Sequence, residues 1–325
     1  MLVLSRREVE TLLDLDRLVE VVATAMADLS AGRASAPPRT AAHVPERGGL
    51  LATMPAFLPS AGALTTKLVS LFPRNRERPT HQALICCFDP ANGTPLAIMD
   101  GTYITAARTA AGSALATTLL ARKDATVVVV VGTGVQAEAH ARAMARLPGL
   151  HRIVITGRDA GAAERLTETL VTSGIQAETS PSVEEAVRSA DVVCATTHAD
   201  RPVVHRAWLR PGTHVNSVGY NSSGEGEVDA ETVRDAFVVV ESRSAALAPP
   251  PSGAVELRRV IEAGTIGEDH VRAELGELVG GMPGRADPAQ LTLYKSVGVA
   301  VQDAAAASIV LEAARDRGVG SDVAM

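Results

Sequence analysis

Five consecutive valines, Val127–Val131, run directly into Gly132-Thr133-Gly134-Val135-Gln136-Ala137. An unbroken β-branched run lacks the apolar–polar alternation of a half-exposed strand and suits a strand covered on both faces. Gly132 allows a tight turn, Gly134 allows the backbone to approach a pyrophosphate, and Ala137 allows close helix–sheet packing. A helix opening at Val135 and Gln136 offers unpaired N–H groups to a phosphate. A bare GxGxxA is a weak signal; here it follows a buried strand and opens a helix inside a βαβ unit, which is the confirming context.

The same alternation continues downstream. Strands are expected at residues 126–131, 152–156, 192–195, 214–218 and 236–240, with helices at 136–145, 160–172 and 183–189. Strands alternating with helices require a parallel, doubly wound sheet. The end of the second strand, Ile155-Thr156-Gly157-Arg158-Asp159, bears on the nucleotide. The position that usually carries an acid for the ribose is Gly157, and an arginine can pair with a 2′-phosphate. Arg158 therefore leans the reading towards NADP. NAD stays open, because Arg158 can also face solvent and Asp159 supplies the acid if the register is shifted.

Before this region the pattern differs. Residues 5–31 read as two short helices, and Pro37-Pro38 forces an extended or turning segment. Residues 50–100 read as strands, with Asn92-Gly93 a hairpin turn. A helix is expected from Ala106 to Leu120. Past Pro249-Pro250-Pro251, residues 291–315 read as a short strand and one strongly amphipathic helix, lying beyond the Rossmann pattern and packing back on the N-terminal region. The expected fold is thus α/β: a Rossmann doubly wound parallel sheet over 121–290, plus a discontinuous α+β substrate-binding and dimerisation domain from 1–120 and 291–325.

Composition narrows the function classes. The net charge is −6 with no basic run, which argues against nucleic acid. Only one Trp, three Tyr and four Phe are present, so the core must be built from small aliphatic side chains. There is no signal-peptide layout and no apolar run approaching the roughly 20 residues of a membrane span, so the chain reads as cytoplasmic. Cys86, Cys87 and Cys194 form no CxxC pair and read as buried reduced thiols. His81, His140, His151, His198, His205 and His214 show no zinc-like spacing, so no metal is expected. His198, just after the fourth strand, is a loop residue or a second acid/base.

Three cationic residues stand out before the glycine turn: Arg39, Lys67 and Arg108. Taken alone, a lysine in an apolar strand can be an edge residue or can snorkel, and an arginine on an Ala-rich helix can be a surface charge. Their surroundings carry more. Lys67, Pro73-Arg74-Asn75, the run from Asp100 to Ala111 with its Arg108-Thr109-Ala110-Ala111, and Leu119-Leu120-Ala121-Arg122 stand in one order with the glycine turn. His214–Gly219 and the run from Leu291 through Tyr294-Lys295-Ser296-Val297-Gly298 to Asp303 follow. In that order and spacing the chain resembles the ornithine cyclodeaminase/mu-crystallin family.

The resemblance implies a homodimer of two-domain subunits, with Arg39, Lys67 and Arg108 lining a cleft and Met54 beside the substrate. It implies that Thr109, Thr196, Val218, Ser296 and Gly298 join the glycine turn in holding the nucleotide. A guanidinium fork suits a carboxylate, and a lysine desolvated near two arginines is expected to have a depressed pKa, as a proton carrier needs.

The chain departs from the cyclodeaminases at two places. Asn221 stands where they carry an acid, and Ala52-Thr53 precede Met54-Pro55 where they carry a glutamate. An amide hydrogen-bonds a substrate but exchanges no proton at useful pH. Two missing carboxylates argue against ring closure with ammonia release and leave hydride transfer intact. The expectation is an oxidoreductase moving a hydride between NAD(P)H and a small 2-imino acid, with Lys67 and Asn221 at the reacting centre. The alternatives are a cyclodeaminase-type lyase and an NADP-dependent binding protein. Arg74, Arg76, Arg78 and His81 crowd one loop; they form a solvated charged loop, or Arg76 grips a second carboxylate of a dicarboxylic imine such as iminosuccinate.

Overall fold

The computed structural model describes residues 1–219, 224–249 and 252–324. In chain order it begins β1 (Leu2–Leu4), α1 (Arg6–Leu12), α2 (Leu15–Ser30), β2 (Thr40–Val44), β3 (Gly49–Leu58), β4 (Ala63–Leu71), β5 (His81–Phe88), β6 (Pro95–Asp100) and α3 (Gly101–Leu120). It continues β7 (Val127–Val131), α4 (Val135–Met144), β8 (Arg152–Thr156), α5 (Ala160–Thr172), β9 (Ala177–Thr179), α6 (Val183–Ser189), β10 (Val192–Ala195), β11 (His214–Ser217), α7 (Ala230–Asp235) and β12 (Phe237–Val240). Then follow α8 (Arg243–Ala246), α9 (Val255–Glu262), β13 (Val271–Glu274), α10 (Leu275–Val279), β14 (Thr292–Lys295), α11 (Ala300–Arg317) and β15 (Ser321–Asp322). Among the described residues, no helix is long and apolar enough to cross a membrane.

The chain divides into two compact units, residues 1–108 with 298–325, and residues 109–297. The first holds a seven-stranded sheet of order β15-β1-β6-β5-β4-β3-β2, antiparallel except where β1 pairs with β6. Alternation assigns its faces. Ala52, Met54, Ala56 and Leu58 of β3 and Ala63, Val69 and Lys67 of β4 are buried, and α11 packs over these two strands with α2 beside it. The opposite face carries Leu51 and Leu84, about half exposed at 51% and 50%.

The second unit is an eight-stranded parallel sheet of order β13-β12-β14-β11-β10-β7-β8-β9. The valine run serves both sides of it. Val128 and Val130 pack with Ala137, Ala141 and Met144 of α4 and with Leu166 and Leu170 of α5. Val129 and Val131 join the cluster containing Val187 of α6, Val233 of α7 and Leu257 of α9. That is the doubly covered sheet the run requires, and the mixed α/β class with a Rossmann-type parallel sheet stands.

Several elements differ from the sequence reading. α2 is sixteen residues long rather than short. α3 opens at Gly101, five residues before Ala106, because the Asp100 carboxylate accepts the N–H of Tyr103 and the Thr102 hydroxyl accepts that of Ala83. β14 does not lie past the Rossmann sheet. It is inserted between β11 and β12, so the second unit runs to Val297, beyond residue 290. α11 is not amphipathic: nearly every residue from Ala300 to Leu311 is buried, since small alanines let neighbours approach from all sides. The strands β2, β9 and β13 and the helix α9 carry no strong sequence signal. Cys86 is only partly buried, because it lies on the outer face of β5.

Candidate functional site

In the first unit, Lys67 lies mid-strand on the covered face of β4. Met54 of β3 and Ile85 of β5 stand opposite it in register. A lysine only 2% exposed in an apolar row needs a partner. The partner is Asp303 on α11, itself 1% exposed, whose Oδ2 lies 2.7 Å from Lys67 Nζ. Its Oδ1 accepts from Nε of Arg108 at 3.0 Å. Arg108 Nη1 also donates to Gln302 Oε1 at 2.8 Å, and Arg39 Nη2 donates to the Gly298 carbonyl at 2.7 Å.

Gly298 has φ +74°, and a Cβ there would lie 2.8 Å from both terminal nitrogens of Arg108. A side chain at this position therefore cannot coexist with the guanidinium where it is. Helix α11, whose Asp303 lies 195 residues from Arg108 along the chain, thus supplies the carboxylate that gathers two cations. Sequence reasoning quoted Asp303 only as part of a motif and gave it no role. Two buried cations in search of a counter-charge were the signal that could have found it.

The electrostatics follow from this arrangement. Burial pushes the Lys67 ammonium down from 10.5 to about 7; Asp303 opposes the fall, and Arg108 and Arg39 reinforce it. Burial also disfavours the Asp303 carboxylate, but Arg108 and Lys67 outweigh it and hold its carboxyl below the usual range. One carboxylate facing two cations leaves surplus positive charge whenever Lys67 is protonated. Such a cluster can take an anion and can exchange a proton near neutral pH.

Arg76 is exposed in the loop between β4 and β5 and is not part of this buried cluster. In the same loop, Arg74 donates to the Glu46 carbonyl at 3.4 Å.

In the second unit, the glycine turn sits at the carboxyl end of β7. Gly132 has φ +131°, and a Cβ there would lie 2.5 Å from Thr196 Oγ1. The Thr196 hydroxyl donates to the Val131 carbonyl at 2.9 Å, and the Gly132 N–H to the Thr156 carbonyl at 2.8 Å. Open space surrounds the Cβ position of Gly134, which is the N-cap of α4 and gives it no side-chain cap. The first-turn N–H groups of a ten-residue helix are therefore left for another acceptor. Val135 is 61% exposed, the Gln136 Oε1 is buried with no partner among the described residues, and Ala137 is fully buried. These features fit a dinucleotide pyrophosphate.

Thr109 is buried on α3, in the second unit's share of that helix. Val218 is partly buried, and its N–H donates to the Ala195 carbonyl at 3.1 Å. The Ser296 hydroxyl donates to Glu241, whose other oxygen takes the Val297 N–H at 2.9 Å. Arg158 is exposed after β8, and Asp159 is committed to capping α5, accepting the Ala162 N–H at 2.9 Å. His198 is exposed in the loop after β10. Asn221 lies outside the described residues.

The mouse ketimine reductase mu-crystallin is 39% identical over 281 residues, covering 85% of this chain and 84% of the mouse protein. The solved structure of Thermococcus litoralis Delta(1)-pyrroline-2-carboxylate reductase, in complex with NADH and L-proline, superposes with a TM-score of 0.94 at 37% identity. That match covers 99% of this chain and all of the other. An archaeal alanine dehydrogenase dimer with bound NAD superposes with a TM-score of 0.92 at 34% identity, over 100% and 99% of the two chains. The family model that matches spans residues 1–318, and with these relatives on either side the chain belongs to the ornithine cyclodeaminase/mu-crystallin family.

Proposed function

We propose that the chain is an NAD(P)-dependent reductase of small 2-imino acids, working in reverse as an amino-acid dehydrogenase. One observation carries the reading: a lysine only 2% exposed whose Nζ lies 2.7 Å from the Asp303 carboxylate, which also takes Arg108. The names of the relatives, which act on ketimines, a pyrroline carboxylate and alanine, support the same class.

The glycine turn and the uncapped start of α4 would hold the pyrophosphate, with Thr109, Thr196, Val218, Ser296 and Gly298 as further contacts. Bound there, a reduced nicotinamide supplies a hydride. Arg39 and Arg108 hold the substrate carboxylate; Arg108 spends Nε and Nη1 on α11 and keeps its other N–H donors for an anion. Met54, opposite Lys67 on β3, gives the substrate an apolar wall. As the imine carbon gains the hydride, the C=N pair moves to nitrogen, which must take a proton. Lys67 Nζ delivers it, and Asp303 keeps the ammonium oriented. Asn221 hydrogen-bonds the substrate without exchanging a proton. Arg158 leans the nucleotide towards NADP, since Asp159 is occupied as a helix cap.

The lyase reading is weaker. It needs acids where this chain has Asn221 and the Ala52-Thr53 pair, neither of which carries a carboxylate. The chain is also inferred to act as a homodimer through the sheet face that carries Leu51 and Leu84, a reading the dimeric archaeal relative supports. Three unpaired thiols suit a reducing, cytoplasmic setting.

The test is the absorbance of the reduced nicotinamide when purified protein meets NADPH or NADH, ammonia and a panel of 2-oxo acids and cyclic imines. Ammonia-dependent loss of the band with an oxo acid, or direct loss with a cyclic imine, supports the reductase. Nucleotide binding without loss of the band on any substrate moves the assignment to the lyase or the binding protein.

A further inference from the structure

The carboxyl ends of β10 and β11 are joined by a side chain from neither strand. Glu227 follows β11 in sequence and is 2% exposed. Its backbone carbonyl is fixed by the N–H groups of Val203 and Val204 at 2.8 and 3.0 Å. One carboxylate oxygen accepts both the N–H and the hydroxyl of Thr197, just past β10. The other accepts the Gly219 N–H at 2.6 Å and the Ser217 hydroxyl at 3.1 Å, at the end of β11.

Gly219 is also held from its other side. Its carbonyl accepts from Lys295 Nζ at 2.8 Å, and Lys295 pairs with buried Glu256 at 2.8 Å. A Cβ on Gly219 would lie 2.1 Å from the Thr197 carbonyl and 2.4 Å from Glu227 Cδ. The two strand ends therefore meet as closely as backbones can, with a carboxylate as the joint. Such a joint does nothing for the sheet that ordinary ladder bonds would not do. It adds rigidity outside the strands, at the end where ligands bind in this class of fold.

The fold has two mononucleotide halves about the β7–β10 switch point. The β7-β8-β9 half carries the ribose-reading position after β8, so the β10-β11 half faces the nicotinamide. We propose that Glu227 is a positioning residue for hydride transfer: by tying Thr197 to Gly219 it sets the two strand ends against which the nicotinamide ring lies. The inference rests on the reading of the second unit as a nicotinamide-dinucleotide site.

Replacing Glu227 by Gln puts an amide N–H₂ where the carboxylate accepts from a backbone N–H, so one strand end is released while side-chain volume is kept. A misplacement of about 1 Å at a reacting ring costs on the order of 100-fold in rate. The experiment measures kcat at saturating nucleotide and the binding of ADP-ribose and its 2′-phosphate, which lack the ring, to wild type, Glu227→Gln and Glu227→Asp. The proposal expects kcat to fall about 100-fold in Glu227→Gln with ADP-ribose binding unchanged. In Glu227→Asp, which keeps the charge but shortens the reach, it expects a smaller fall of the same kind.

Wild-type kcat in either variant, or equal loss of ADP-ribose binding and kcat, overturns it. Where Glu227→Gln does not fold, Glu227→Asp decides by the same readouts. Wild-type protein that binds neither ADP-ribose nor its 2′-phosphate removes the nucleotide reading itself, and the proposal with it. That result is distinct from binding with unaltered turnover.

Discussion

Replacing Asp303 by Asn tests the reading of Lys67 directly. The substitution keeps the size of the side chain and removes the negative charge 2.7 Å from Lys67 Nζ. At an effective dielectric of about 20, unit charges at that separation attract by about 6 kcal/mol. Side-chain relaxation and water entry remove much of this. If only about a third survives, at roughly 1.4 kcal/mol per pKa unit the lysine shifts by about 1.5 units.

The sign is fixed: the lost charge stabilised the protonated lysine, so its pKa falls further below its wild-type value of about 7. A protonated lysine is the proton donor for reduction, so kcat/KM for a preformed cyclic imine should decline as pH rises through about 7 in wild type. In Asp303→Asn the decline should begin about 1.5 pH units lower, since kcat/KM profiles report free-enzyme groups. The measurement is kcat/KM against pH for both proteins with the same imine, so that the substrate's own titration cancels. A melting curve checks that the variant is folded. A limb that stays in place, or moves to higher pH, refutes the assignment of Lys67 as the titrating donor.

Three further outcomes are expected. Gly132→Ala forces a side chain to φ +131° and against Thr196 Oγ1, a strain of about 1–3 kcal/mol that lowers the melting temperature; as the turn shifts to relieve it, calorimetric titration should show nucleotide affinity falling at least tenfold, on the order of 1.4 kcal/mol. Arg285→Ala removes a donor from the carbonyls of Leu120, Gly212, Pro288 and Gln290; urea unfolding should show a loss of about 2–4 kcal/mol, and a change within the experimental scatter would mean that water replaces the guanidinium fully. Arg158→Ala should weaken NADPH binding about tenfold, roughly the worth of one charge-assisted contact, while leaving NADH unchanged; equal effects on both nucleotides would mean that Arg158 reads no 2′-phosphate.

The parallel sheet was legible because its signals are local. The valine run, Gly132, Gly134 and Ala137 act on their own neighbours, so strand, turn and helix start could be read from spacing alone. Arg39, Lys67 and Arg108 could be named, but not connected: each is ambiguous until a counter-charge is located, and Asp303 is 195 residues from Arg108 along the chain. The same holds for β14, whose four residues look like an afterthought to the Rossmann pattern and yet sit between β11 and β12. Periodicity reports which residues a segment buries, not which strand it pairs with. Helix α11 shows the limit most sharply, since its alanines carry no apolar stripe to reveal what they pack against. Sequence alone therefore determined the nucleotide-binding architecture and the cationic cast of residues. Only tertiary structure decided which carboxylate neutralises them and which strand ends are tied together, because burial makes a charge choose a partner in space, regardless of distance along the chain.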